Sequence, residues 1–103
     1  MAEPKGHIVG EHAEHTVMLY ALSTCIWCRK TRQLLEDEKV TYDYLYIDLL
    51  EGEERQAAER EVRQWNPATS FPTLVIDGAD CIVGFKPDAI RELLALSAIA
   101  HGV

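Results

Sequence analysis

The chain has 103 residues, 48% of them hydrophobic and 26% charged, a composition that fits one globular domain and excludes a disordered or fibrous class. Ten basic against seventeen acidic residues leave a net charge of −7, which argues against nucleic acid and an anionic membrane surface as partners. No apolar run approaches the ~18 residues that a membrane span requires.

Met1 to His7 contain no hydrophobic stretch of the secretory-signal kind, so the expected location is the cytoplasm. Residues 1–15 show no clear period and read as a flexible N-terminal extension; the domain is expected over 16–98, with 99–103 a C-terminal tail. Thr16 to Ala21 is a short apolar run of strand length. Ser23 or Thr24 is placed to cap a helix from about Ile26 to Glu38, with Cys28, Thr31, Leu34 and Leu35 inward and Arg32 among the outward residues.

Thr41 to Ile47 is aromatic and β-branched, a second strand with Tyr42, Tyr44 and Tyr46 on one face. Glu51 to Trp65 reads as a charged helix with Glu51–Arg55 and Glu59–Arg63 pairs and a buried stripe of Ala58, Val62 and Trp65. Thr73 to Ile76 is a third strand, Asp77-Gly78 a hairpin turn, and Cys81 to Val83 the antiparallel fourth. Pro87-Asp88 opens a last helix with Ile90, Leu93, Leu94 and Ser97 inward. The order β-α-β-α-β-β-α predicts an α/β domain, a small mixed sheet covered by helices.

Three cysteines are an odd number and too few for a disulfide-built scaffold. Cys25 and Cys28 are spaced C-x-x-C at the start of the first helix, where unpaired backbone N–H groups and the helix dipole favour a thiolate. Thiols so placed can fall from about 8.5 to roughly 3.5–7.5 in pKa. The three-residue offset brings the two Cβ atoms close enough for a disulfide. Cys25 is therefore expected as nucleophile and Cys28 as resolving thiol, with a redox-active Cys25–Cys28 disulfide formed in the cycle. The competing reading is a metal-binding module in which the C-x-x-C joins arm histidines His7, His12 and His15 around zinc, although no second C-x-x-C is present. Cys81 is expected to be a buried, inert thiol, and His101 lies outside the core pattern.

Cys25-Ile26-Trp27-Cys28 after the first strand, Ser70-Phe71-Pro72-Thr73 before the third and Gly84-Phe85 after the fourth occur in the order and spacing of a known family. Over roughly Thr16 to Leu96 the sequence resembles the glutaredoxin family of the thioredoxin-fold superfamily. The resemblance implies a four-stranded mixed sheet flanked by three helices and a thiol–disulfide oxidoreductase acting on protein or mixed disulfides. Pro72 matches the family's cis-proline, which would leave the backbone of Phe71 free to pair with an extended substrate. Trp27, Gly84, Phe85 and Lys86 complete the expected substrate-binding set.

The resemblance leaves two electron donors open, glutathione as co-substrate or a thioredoxin reductase. Ile26 and Trp27 stand where glutathione-using members have proline and tyrosine, and Leu22 stands where they have a carboxylate-binding lysine. Gly84-Phe85-Lys86-Pro87-Asp88 looks more like the NrdH-redoxin branch, which a thioredoxin reductase reduces. No tightly bound cofactor and a monomer are expected. Some members of the family hold an iron–sulfur cluster between two copies, a second form of the metal-binding alternative.

Overall fold

The structure, a computed structural model, describes residues 4–95. In the described residues five strands, β1 (Lys5–Ile8), β2 (Val17–Ala21), β3 (Tyr42–Tyr46), β4 (Thr73–Ile76) and β5 (Asp80–Val83), form one sheet in the order β1-β3-β2-β4-β5. β2 and β3 are parallel, and the other neighbouring pairs are antiparallel. Helices α1 (Ile26–Asp37), α2 (Gly52–Trp65) and α3 (Pro87–Leu94) follow β2, β3 and β5, with a short 3-10 turn at Ile47–Leu49 leading into α2.

The central strands are apolar at successive positions because the sheet is covered on both faces. Val17, Leu19 and Ala21 of β2 and Leu74 and Ile76 of β4 pack with Leu34, Leu35, Ile90 and Leu94 on the α1 and α3 side. Tyr20 and Val75 point to the opposite face and pack with Ala58 and Val62 of α2. The inward stripe expected for α1 is the buried one. At the β4–β5 turn both Asp77 (φ +56°) and Gly78 (φ +60°) are in the left-handed region, and the Ala79 N–H donates to the Ile76 carbonyl at 3.1 Å; with Ile76 paired to Asp80, the loop has three residues, Asp77 to Ala79.

The sheet has five strands rather than the expected four. The extra strand, β1, comes from the segment read as a flexible extension: Lys5–Ile8 pair with Tyr42–Leu45. An edge strand of four residues with one half-buried face leaves almost no periodic signal in sequence. Past it, Gly10 N–H donates to Thr41 Oγ1 at 2.9 Å and Thr41 N–H donates to the His12 carbonyl at 2.8 Å. Gly10 is required here, since a Cβ would lie 2.3 Å from the Lys39 carbonyl oxygen.

Three side-chain expectations change. Leu93 is 37% exposed, because the buried stripe of α3 runs through Ile90 and Leu94, four residues apart, and Leu93 falls beside it. Glu51 is the N-cap of α2, in extended backbone, so Arg55 pairs forward with Glu59 at 3.5 Å, which leaves neither expected pair formed. Arg32 turns inward onto the tyrosines of β3, with its guanidinium 4.1 Å from the Tyr44 ring. Ser97, His101 and the 99–103 tail lie outside the described residues.

Candidate active site

β2 and β3 end side by side, with Ala21 opposite Tyr46, and the chain leaves β2 through Leu22-Ser23-Thr24 into α1. The N-cap of α1 is Cys25 itself rather than Ser23 or Thr24. Its backbone is extended (φ −89°, ψ 120°), and its Sγ accepts the Cys28 N–H at 3.2 Å. The sulfur thus occupies the place of an ordinary capping oxygen and meets an otherwise unpaired helix donor.

The two residues differ sharply in access. Cys25 is half-buried, whereas Cys28 is only 1% exposed, and both are free thiols. Burial pushes the Cys28 thiol up to about 12. The hydrogen bond with Cys25 and the charges of Cys25 and Asp48 act in the same direction, while the Leu22 N–H opposes them. Cys28 is therefore a protonated thiol near neutral pH.

The loop between β2 and Cys25 is held from outside. Leu22 C=O accepts the Cys25 N–H at 3.2 Å, and Asp48 of the 3-10 turn accepts both the N–H and the hydroxyl of Ser23. The sequence offers Ser23 as a helix cap and gives no sign of its pairing with Asp48, since the partners are 25 residues apart.

The other expected site residues make contacts among themselves. Trp27 is 52% exposed and stacks on Phe85, with ring centroids 5.9 Å apart and planes at 25°. The Phe71–Pro72 bond is cis, and Gly84, in the left-handed region at φ +88°, donates its N–H to the Pro72 carbonyl at 2.9 Å. Among the described residues nothing hydrogen-bonds the Phe71 N–H or C=O. Cys25, Phe71 and Phe85 border one core cluster, and Lys86 follows as the N-cap residue of α3. On the α2 side, Leu22 and Phe71 line a cleft of about 200 Å³ with Arg55 and Arg63. A larger cleft of about 550 Å³, between β1, β3 and α2, contains none of these residues.

The arm histidines turn to carboxylates instead of to the cysteines: His7 to Asp43 at 2.7 Å, His12 to Glu14 at 3.7 Å and His15 to Asp77 at 2.7 Å. Among the described residues no three His, Cys, Asp or Glu side chains converge on a point that would hold a metal ion, so the zinc reading finds no ligand set there. Cys81 is half-buried on β5, and burial raises its thiol pKa. Among the described residues no helix is long and apolar enough to cross a membrane.

An accessible sulfur at a helix start, backed by a buried second thiol on a sheet of this order, is the arrangement of a thiol–disulfide oxidoreductase with the thioredoxin fold. The chain belongs to the glutaredoxin family, whose model, described as Glutaredoxin, matches residues 17–80. It is 48% identical to the glutaredoxin from Methanosarcina mazei Go1, with a TM-score of 0.83 over 89% of this chain and 88% of that one. It is 44% identical to Methanosarcina acetivorans methanoredoxin, with a TM-score of 0.84 over 88% of this chain and 96% of the other. Over 78 residues it is 31% identical to the Gene 56 protein of Mycobacterium phage D29, covering 76% of this chain and 81% of that protein.

Proposed function

We propose that Cys25 is the nucleophile and Cys28 the resolving thiol of a cycle that reduces protein disulfides. The observation that carries this division is the burial contrast: one sulfur is reachable and takes a backbone N–H, and the other is buried and protonated behind it. Cys25 thiolate attacks one sulfur of a substrate disulfide, forming a mixed disulfide and expelling the other sulfur as a thiolate. Cys28 then loses its proton and attacks Cys25 Sγ. This forms the Cys25–Cys28 disulfide and releases the second substrate sulfur as a thiolate, so two electrons pass to the substrate. The unpaired Phe71 N–H and C=O beside Pro72 support a docking role for an extended substrate backbone. Trp27, Gly84, Phe85 and Lys86 would flank the bound segment.

An external thiol must restore the dithiol, either glutathione or a thioredoxin reductase. Leu22, half-buried against the α2-side core, offers no cation at the place where glutathione users present a lysine, which favours the reductase. Free thiols suit a reducing compartment such as the cytoplasm, and the cycle needs only one copy of the chain and no bound cofactor.

The test is turnover of a protein disulfide with each reductant in turn. Cys25→Ser is expected to abolish turnover, and Cys28→Ser to accumulate a mixed disulfide at Cys25. Full activity in Cys25→Ser would overturn the assignment.

A further inference from the structure

Cations and carboxylates are distributed unevenly around Cys25. Over the whole chain acids outnumber bases and the net charge is −7. Arg32, Lys39, Arg55 and Arg91 each lie against a carboxylate. The other six cations have no carboxylate at ion-pairing distance among the described residues: Lys5, Arg60 and Arg63 lie on β1 and α2, whereas Arg29 and Lys30 on α1 and Lys86 at the N-cap of α3, all three exposed, are the ones next to Cys25 and Phe85. Arg29 donates its backbone N–H to the Cys25 carbonyl at 3.1 Å, one helical turn above the nucleophile. Lys30 Nζ sits 5.0 Å over the Trp27 ring, and Lys86 adjoins Phe85, the ring stacked on Trp27. Of the acids on the neighbouring elements, Asp88 is exposed and 3.9 Å from Arg91, and Asp48 holds Ser23 while its charge reaches Cys28. The surface beside Cys25 is therefore apolar at its centre, with Ile26 56% and Trp27 52% exposed, and rimmed by free positive charge.

Deepening the oxidoreductase reading above, and resting on it, we infer that the preferred substrates are protein disulfides in segments that carry an apolar side chain and carboxylates within a few residues of the attacked sulfur. The apolar side chain would cover the Trp27–Phe85 pair, and the carboxylates would meet Lys30, Lys86 and Arg29. The carboxylates must be local. Screening confines surface charge effects to about 10 Å at 0.1 M salt, and the rest of this acidic chain repels an acidic partner.

The test uses the full chain, reduced beforehand and freed of reductant, in single turnovers against three peptide disulfides. The peptides share one sequence with one apolar residue and differ only in Asp, Asn or Lys flanks. Expected is an order Asp, Asn, Lys in the rate of mixed-disulfide formation, with about a tenfold spread at low ionic strength that shrinks as salt is added. Lys30→Glu combined with Lys86→Glu is expected to reverse the order. Arg60→Glu, on the exposed side of α2, adds the same kind of charge change and is expected to preserve it. Equal rates for the three peptides, or an order that survives the Lys30 and Lys86 reversal, would overturn the inference while leaving the oxidoreductase reading intact. Reversal effects seen with glutathione disulfide but not with the peptides would also overturn it, because the cations would then serve glutathione. Inertness toward all three peptides would remove both.

Discussion

Asp48 grips Ser23 with both carboxylate oxygens: Oδ1 accepts the backbone N–H at 2.8 Å and Oδ2 accepts the hydroxyl at 2.5 Å. The grip joins the turn after β3 to the loop whose Leu22 carbonyl accepts the Cys25 N–H. Burial works against ionisation of Asp48, yet the Ser23 hydrogen bonds outweigh it and hold the carboxyl below its usual range. Asp48→Ala and Ser23→Ala are each expected to cost about 1–2 kcal/mol, with a coupling near 1 kcal/mol in the double-mutant cycle. Both should slow mixed-disulfide formation at Cys25. Urea unfolding and single-turnover rates measure the two effects, and additive single losses would show that the two residues act separately. Because the folded-state pKa is depressed, the contribution is present above the ordinary aspartate value of about 3.9 and fades as pH falls below it. The stability gap between wild type and Asp48→Ala should therefore narrow in acid.

Cys28 has the opposite linkage. Its folded-state pKa, pushed up to about 12 mainly by burial, exceeds the ordinary thiol value of about 8.5, so the unfolded chain sheds this proton first. Stability is complete below about pH 8.5 and declines as pH rises toward 12, by up to about 1.4 kcal/mol per pH unit for one proton. Reduced wild-type protein should lose stability between pH 8.5 and 10 faster than Cys28→Ser does, as read by urea unfolding at each pH. Parallel curves would mean that Cys28 does not titrate differently in the two states.

Arg32 is a second concentrated contact. Its Nε and one terminal nitrogen donate to the hydroxyls of Tyr42 and Tyr46 at 2.8 and 2.7 Å, and its other terminal nitrogen lies 3.3 Å from Glu36. Glu36 also accepts the Tyr42 hydroxyl. Arg32→Ala should cost about 2–3 kcal/mol in denaturant unfolding, by taking a hydrogen-bond donor from the buried Tyr42 and the half-buried Tyr46 hydroxyls and removing the cation from the Tyr44 face. Arg32→Lys should recover less than half of that, since an ammonium cannot reproduce the planar fork.

Removing residues 1–10 strips β1 and leaves the hydrogen-bonding edge of β3 open. Loss of the strand, including the His7–Asp43 pair at 2.7 Å, should lower Tm by roughly 8–15 °C. The bare edge should promote self-association visible by size exclusion. Cysteine reactivity in the remaining monomer should persist, because β1 contributes none of the site residues. An unchanged melting curve would show that β1 adds nothing to stability.

Much of this architecture was legible in sequence because it rests on local pattern. The apolar runs of β2 and β4, the Asp77-Gly78 turn, the stripe of α1 and the C-x-x-C at its start are each written within a few neighbouring residues. What escaped depends on contacts across the fold. Arg32 read as an outward charge because a helical wheel cannot show that three tyrosines of another strand await it. Cys25 displaced Ser23 as the cap because Ser23 is drawn off by Asp48. β1 is specified less by its own residues than by the free edge of β3 and by glycines at Gly6 and Gly10, where a Cβ would collide with Tyr44 and with the Lys39 carbonyl.

β1 also sets where the chain enters the fold. Running antiparallel to β3, it brings the Pro4 carbonyl within 2.6 Å of the Tyr46 amide, beside the end of β2 from which Cys25 departs. Pro4 thus sits at the same end of the sheet as the start of α1, so a fluorescent reporter joined directly to Pro4 would be attached at the pole of the molecule that carries Cys25.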